Sequence, residues 1–200
     1  MFEGAGLAPA RAGHQGRPYA DTAWVWRCRW GRGLPPPRRD NSFHRRLQSR
    51  RKSIRLHPSV YREPGRAYSV TIGTAPRRPV FANLNFGLQC VEELRRIRET
   101  TGARVYAFCL MPDHVHLLVC VPHGSSLPAL IGAWKSQCYR EWRRIGRRET
   151  FWQRSYFDHA LREEEDLRVV TNYILNNPVR AGIVIRFQDY KLCGSLEFDL

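Results

Sequence analysis

Two short apolar segments on either side of a tight turn constrain the fold of this chain more than any other feature. Residues 104–110 and 114–121 are rich in branched and aromatic side chains, and Met111, Pro112 and Asp113 separate them. Runs of this length and composition predict β-strands. So short a connection predicts that the two strands pair antiparallel. No apolar run approaches the roughly 18 residues of a membrane span, so we expect no membrane partner.

The segments around this strand pair predict an α+β domain. Alternation marks further strands, and apolar residues at helical spacing mark helices. The order of elements is β-α-β-β-α-β-α, which predicts a ferredoxin-like split βαβ fold, an antiparallel sheet with helices on one face. The other predicted elements are strands over 68–74 and 155–162, helices over 84–99 and 127–145, and a last helix that starts at the acids Glu163–Asp166 and is closed by Pro178.

Positive charge divides the chain into unequal parts. The formal net charge is +15, and residues 1–66 hold 14 Arg and 1 Lys against only four acids. We predict a basic, disordered extension over 1–56, a folded domain over 57–190 and a short C-terminal tail over 191–200. The extension is either an arm that holds DNA electrostatically or translated upstream sequence without a role.

The kind of charge and the cysteine pattern indicate partner and compartment. Arginine supplies 30 of the 33 basic residues, and arginine favours phosphate clamps and base stacking. A pI near 10.3 points first to nucleic acid. The six cysteines form no Cys-x-x-Cys motif. We therefore expect a reduced, cytoplasmic protein that is associated with the nucleoid.

Two histidines in the second of the central strands are candidate metal ligands. His114 and His116 are two residues apart, so their side chains share one face of the sheet. If the helices cover the other face, the histidines lie on the open face. The pattern alone is weak, because two surface histidines on an apolar strand would look the same.

The last helix carries a second pair of candidates. Asn177 follows Tyr173 by four residues, which is one helical turn on the same face. An amide oxygen can be the third ligand of a divalent ion, and the tyrosine hydroxyl would then lie beside that ion. The alternative is a tyrosine that packs on the sheet and an asparagine that ends the helix before Pro178.

A group of basic residues at the end of the second helix is a candidate DNA-backbone contact. So many arginines in so short a stretch exceed what solubility needs, although a solvated helix end would also carry them. The predicted DNA-binding residues are Lys135, Arg140, Arg143, Arg144, Arg147, Arg148 and, after the last helix, Arg180.

Several segments together resemble a family. Residues 111–119, with the two histidines, and 173–184, from Tyr173 onwards, are similar to the small HUH single-strand transposases, and more closely to the REP-associated tyrosine transposases. Residues 151–153 and 156–162 also look like that group. The likeness covers about 60–190, and Asp113 departs from it, because asparagine is expected there as often.

The resemblance implies a metal-dependent transposase that nicks and rejoins single-stranded or hairpin DNA. His114 and His116 would bind Mg²⁺ or Mn²⁺, Asn177 would be the third ligand, and Tyr173 would attack DNA to give a 5′-phosphotyrosine. Members of this fold are often homodimers, and the sequence leaves open whether Tyr173 acts in its own subunit or the partner's.

Two other functions remain open from the sequence. One is a non-catalytic, domesticated DNA hairpin-binding protein, in which only the basic surface matters. The other is a metal phosphoesterase that uses water as its nucleophile, with a merely structural Tyr173. A covalent protein–DNA adduct distinguishes the transposase from both.

Overall fold

A five-stranded antiparallel sheet forms the centre of the domain. The computed structural model describes residues 57–162 and 166–200, which lie in one compact unit. The predicted extension over 1–56 and the residues 163–165 lie outside the described residues. The strand order is β4-β1-β3-β2-β5. The strands are β1 (Ala67–Gly73), β2 (Arg104–Met111), β3 (His114–Cys120), β4 (Phe157–Ala160) and β5 (Cys193–Gly194); the helices are α1 (Leu84–Thr101), α2 (Leu127–Arg144), α3 (Leu167–Leu175) and α4 (Asn177–Arg180).

The two long helices begin and end at residues suited to those positions. Asn83 caps α1 by accepting a hydrogen bond from the Phe86 N–H, and Ser126 caps α2 in the same way. Gly102 ends α1 with a left-handed backbone, φ 73°, which a glycine adopts without steric cost. These local signals explain why the predicted bounds of both helices lie within two residues of the observed ones.

The larger apolar core lies between the sheet and the helices α1 and α2. Val115, Leu117 and Val119 of β3 point into it and are fully buried or nearly so. Phe86, Trp142 and Phe151 pack ring against ring within it. The Trp134 indole N–H donates to the Cys90 carbonyl at 3.0 Å. None of the helices in the described part of the chain is long and apolar enough to cross a membrane.

The third helix lies on the opposite face of the sheet. Val170, Ile174 and Leu175 of α3 pack against Cys109 and Leu118, which face away from the larger core. The predicted α+β, ferredoxin-like sheet is confirmed, and the two long helices share one face as expected. The helix α3, which carries Tyr173, instead covers part of the histidine face. Its apolar side chains pack there against Cys109 and Leu118, and these residues together form the smaller cluster.

The C-terminal end of the chain adds an edge strand to the sheet. Residues Cys193–Gly194 pair antiparallel with Cys109 and Phe108 of β2. Leu192 is 1% exposed, and its carbonyl accepts from the Leu110 N–H at 2.8 Å. The residues 191–200, interpreted as a tail from the sequence, therefore belong to the folded domain from at least Leu192 to Gly194.

Candidate active site

The two histidines of β3 converge on one point. His114 and His116 are half-buried, and their rings meet edge to face with centroids 4.8 Å apart. The two Nε2 atoms lie 3.1 Å from each other. Their shared face follows from strand geometry, because residues i and i+2 point to the same side of the sheet.

A polar neighbour holds the other nitrogen of each ring. His114 Nδ1 lies 2.6 Å from the Asp113 carboxylate, and His116 Nδ1 lies 3.1 Å from the Thr71 hydroxyl. A carboxylate only accepts, so His114 Nδ1 carries the proton, and in the neutral ring Nε2 then keeps its lone pair. Such partners orient histidine ligands in metal sites. Asp113 thus contacts the ring of a candidate ligand.

The histidine pair fits a shared divalent ion. Two nitrogens 3.1 Å apart that each bind one ion at about 2.1 Å subtend an angle of about 95° at that ion. This is close to the angle between neighbouring ligands in octahedral coordination, which Mg²⁺ and Mn²⁺ prefer. Within the ranges that the structure describes, no group of three or more His, Cys, Asp or Glu side chains is placed to hold a metal.

Helix α3 brings Tyr173 to the histidine face. Tyr173 is half-buried and packs against the smaller cluster, which includes Leu118. Leu118 lies two residues after His116, on the same face of β3. The structure therefore places the candidate nucleophile and the candidate ligands on one side of the sheet.

Asn177 occupies a helix junction. Helix α3 ends at Leu175, and Asn177 begins the short helix α4, with Pro178 in its first turn rather than at the end of the preceding helix. A proline is tolerated there because the first-turn N–H has no intrahelical partner. The buried Asn177 amide donates to the Tyr173 and Ile174 carbonyls at 3.3 and 3.0 Å. These bonds are the capping contacts that the alternative interpretation expected.

Arg180 links the tyrosine and the asparagine. Its guanidinium donates to Asn177 Oδ1 at 2.7 Å and lies 3.8 Å from the centre of the Tyr173 ring. The side-chain oxygen proposed as a metal ligand thus accepts from an arginine in this structure. Arg180 is exposed and also donates to the Tyr173 carbonyl at 3.3 Å. The role of Asn177 as a ligand stays a prediction.

The remaining basic candidates lie on the other side of the sheet. They belong to helix α2 and the loop after it, and all the arginines among them are exposed. Arg144 pairs with the buried Glu141 at 2.6 Å, and Arg147 lies over the Trp142 ring at 5.8 Å. Lys135 is half-buried, and burial lowers its pKa. The structure therefore groups Lys135, Arg140, Arg143, Arg144, Arg147 and Arg148, and places Arg180 apart from them beside Tyr173.

Gln153, for which no role was predicted, also lies at the site. Gly73 pairs with His114, and directly opposite residues of an antiparallel pair share a face. A Cβ added at Gly73 would lie 2.6 Å from the Gln153 side-chain oxygen. The Gln153 carboxamide therefore covers Gly73 on the histidine face. Only the strand register reveals this neighbour, although Gln153 belongs to a segment that carries the family resemblance.

Comparisons with known proteins show the family of this chain. The model of the family "Transposase IS200 like" matches residues 65–177. A REP-associated tyrosine transposase of Escherichia coli is 24% identical over 48% of this chain and 56% of its own length. A Haemophilus influenzae protein that provisionally carries the same name is 33% identical over 42% of this chain and 54% of its own length. The chain thus spans about half the length of these curated relatives.

A solved structure shares the fold. It is a REP-associated tyrosine transposase bound to a REP hairpin, with a TM-score of 0.58, 20% identity, and coverage of 71% of this chain and 81% of that one. At this identity the likeness supports the fold. The family match includes β1 to β4, both histidines, Tyr173 and Asn177. This chain belongs to the IS200-like transposase family.

Proposed function

We propose that this protein cuts and rejoins single-stranded or hairpin DNA through a covalent 5′-phosphotyrosine, with Mg²⁺ or Mn²⁺ as cofactor. The observation that supports the proposal best is the shared face of the sheet. Two histidines with facing Nε2 atoms and a half-buried tyrosine on the adjoining helix form the minimal set for metal-assisted attack on a phosphodiester.

The histidines would hold the ion through their Nε2 atoms. Asp113 and Thr71 keep both rings in place, and Asn177 would supply Oδ1 once Arg180 turns away from it. A divalent ion in this position supplies Lewis-acid polarisation of the scissile phosphate and offsets charge on its oxygens.

Tyr173 would act as the nucleophile. Its hydroxyl oxygen forms a bond to phosphorus, and the bond from phosphorus to the 3′ oxygen breaks. The tyrosine proton is lost, and the leaving 3′ oxygen gains one, so the products are a 5′-phosphotyrosine and a 3′-hydroxyl. The phosphodiester energy is kept in the new bond, and a second 3′-hydroxyl can reverse the step on another strand without ATP.

The basic surface on and after α2 would bind the DNA backbone. A related protein was solved bound to a REP hairpin, and hairpin DNA is therefore the substrate that we propose for this chain. The exposed arginines give the charge that such binding needs, and each phosphate contact would release counterions from the DNA. Arg180, beside Tyr173, would then contact the phosphate nearest to the cut.

A covalent adduct tests the proposal. Labelled hairpin oligonucleotides with single-stranded flanks, drawn from DNA next to the protein's own gene, are incubated with the full chain and Mn²⁺ or Mg²⁺. The products are separated on a denaturing protein gel. We expect a labelled band at the mass of the protein plus DNA, and no band with EDTA.

Matched variants identify the nucleophile and the ligands. The band should disappear in Tyr173→Phe and persist in Tyr106→Phe, because Tyr106 is also half-buried against the smaller cluster. It should disappear in His114→Ala and persist in His123→Ala, which removes an exposed loop histidine. Hairpin binding without an adduct would indicate a DNA-binding protein, and cleavage without an adduct would indicate a water-using phosphoesterase.

A further inference from the structure

An open depression lies between helix α2 and the segment that precedes β4. Its volume is about 530 Å³, and its lining includes Lys135, Tyr139, Arg140, Trp152, Gln153 and Arg154. This volume falls within the roughly 300–1,000 Å³ range of small-ligand pockets. The depression belongs to the helix-covered side of the sheet, so it is separate from the histidine pair.

The charge around the depression is of one sign. Three of its lining residues, Lys135, Arg140 and Arg154, are cationic, and none is acidic. Arg140 and Arg154 are exposed, and no carboxylate in the described part of the chain pairs with either side chain. A rim of this kind favours an anionic group, and arginine favours phosphate in particular.

The floor of the depression offers aromatic surface. The Trp152 indole N–H donates to the Lys135 carbonyl at 3.1 Å, and the Tyr139 hydroxyl donates to the Arg148 carbonyl at 2.9 Å. Both side chains are half-buried, and both have their polar ends occupied. The part of each ring that stays exposed suits a flat, apolar group, and Lys135 Nζ lies over the Trp152 ring, 5.8 Å from its centre. A ligand with an aromatic plane and a phosphate matches floor and rim together.

Gln153 connects the depression to the candidate active site. Its carbonyl accepts from Lys135 Nζ at 2.7 Å, and its backbone N–H donates to the Gly73 carbonyl at 2.9 Å. Gly73 pairs with His114, and the Gln153 carboxamide lies over Gly73 on the histidine face. A DNA strand that passed the histidines and continued around this end of β1 would reach the depression next.

We propose that the depression binds one unpaired nucleotide of the single strand that flanks the hairpin, with its base against Trp152 and its phosphate between Arg140 and Arg154. The inference rests on the proposed function, because it names the part of the DNA that this surface holds. It adds Trp152, Tyr139 and Arg154 to the DNA contacts and separates recognition of the flank from recognition of the hairpin.

Binding without cleavage tests the inference. The dissociation constants of the full chain for a hairpin with a single-stranded flank and for the same hairpin without it are measured in EDTA, by fluorescence anisotropy. For the parent protein we expect tighter binding of the flanked DNA. In the double variant Arg140→Ala/Arg154→Ala the ratio of the two dissociation constants should be about tenfold smaller, because the variant lacks the phosphate contacts at the rim.

A second double variant controls for charge alone. Arg143→Ala/Arg147→Ala makes the same change in net charge with two exposed arginines that do not line the depression. It should weaken binding of both DNAs equally and leave their ratio unchanged. Equal preference for the flank in the two double variants and the parent would overturn the inference.

A second test changes the DNA and needs no protein variant, so misfolding cannot affect its result. Abasic sites are placed one at a time along the flank and presented to the parent protein. One position should cost about five- to tenfold in affinity, since one base stacks in the depression, while its neighbours cost little. Uniformly small losses at every position would contradict the inference.

The two proposals fail in different ways. A phosphotyrosine adduct with no effect of the Arg140→Ala/Arg154→Ala variant on the flank preference would overturn the inference and leave the proposed function standing. A flank preference that needs Arg140 and Arg154, in a protein that forms no adduct, would support the inference and overturn the proposed chemistry.

Discussion

The two faces of the sheet differ in packing and in polarity. On one face, the long helices α1 and α2 bury a large cluster of aliphatic and aromatic side chains. On the other, the short helix α3 covers a smaller cluster and leaves His114, His116 and Tyr173 half-buried. One strand, β3, contributes alternate residues to both faces. The alternation of side chains along β3 thus places core residues on one face and the candidate site residues on the other.

The largest expected effect is on the rate of the chemical step, with little change in stability. Tyr173→Phe should lower the rate of adduct formation at least about a thousandfold, because it removes the attacking oxygen. The melting temperature should stay within a few degrees, since the phenyl ring keeps its packing. Rates come from gel assays, and stability comes from circular dichroism. A large drop in melting temperature would show that the two faces are not independent.

A pair of neighbouring leucines compares the two faces directly. Leu117 points into the larger core and Leu118 into the smaller one, and both are 0% exposed. Leu117→Ala should lower the free energy of unfolding by about 3–5 kcal/mol, and Leu118→Ala by about 2–3 kcal/mol. Urea unfolding measures both.

Activity separates the leucines further. Under conditions where each variant is folded, Leu118→Ala should reduce adduct formation more than Leu117→Ala, because Leu118 supports the helix that carries Tyr173. Equal activity in the two variants would mean that the packing beneath α3 does not position the tyrosine.

A small change on the histidine face should affect activity more than stability. In Gly73→Ala the new methyl group would meet the Gln153 carboxamide, which must then move. Because Gln153 is exposed, the expected loss of stability is below about 1 kcal/mol, while adduct formation should fall about tenfold. Gly132→Ala is the control, since a Cβ there meets nothing within 4 Å.

The smallest expected effect is a change of stability with pH, which comes from Tyr68 on the helix-covered face. Tyr68 is 0% exposed, and its hydroxyl donates to the Val60 carbonyl. Burial, together with Glu63, raises its pKa to about 12. In the unfolded chain a tyrosine ionises near pH 10. The stabilisation is thus fully present below about pH 10 and is lost as the pH rises through about 12.

Tyr68→Phe checks this titration. Urea unfolding of the parent and the variant is measured between pH 8 and pH 11. The parent should lose more stability over this range than the variant, which has no hydroxyl at this position. Parallel losses would show that Tyr68 does not titrate differently in the two states.

Local patterns explain why much of the fold could be predicted. Strands β2 and β3 follow from alternation and apolar composition, and α1 and α2 follow from periodicity and from the caps at Asn83 and Ser126. The two-residue strand β5 and the position of α3 could not be predicted in this way. Each depends on pairing with residues that are distant in the sequence, such as Cys109 with Cys193.

The candidate site, too, could be predicted only where local patterns determine it. The positions of His114 and His116 on one face follow from their spacing, and the structure bears out that geometry. The orienting contact from Thr71 and the cover from Gln153 are cross-strand relations that no local pattern records. Arg180 was predicted to contact DNA, and its bond to Asn177 emerges only from the helix junction.

The hairpin between β2 and β3 limits the insertions and deletions that the gene can accept. Only Pro112 and Asp113 separate Met111 from its partner His114, and both turn carbonyls accept hydrogen bonds from other segments. A one-residue slip of β3 against β2 would exchange the two faces of β3, so the imidazoles would enter the larger core and Val115, Leu117 and Val119 would move to the histidine face. Related genes that differ by insertions and deletions should therefore differ in the loop at 122–126 and have the same number of residues in this turn.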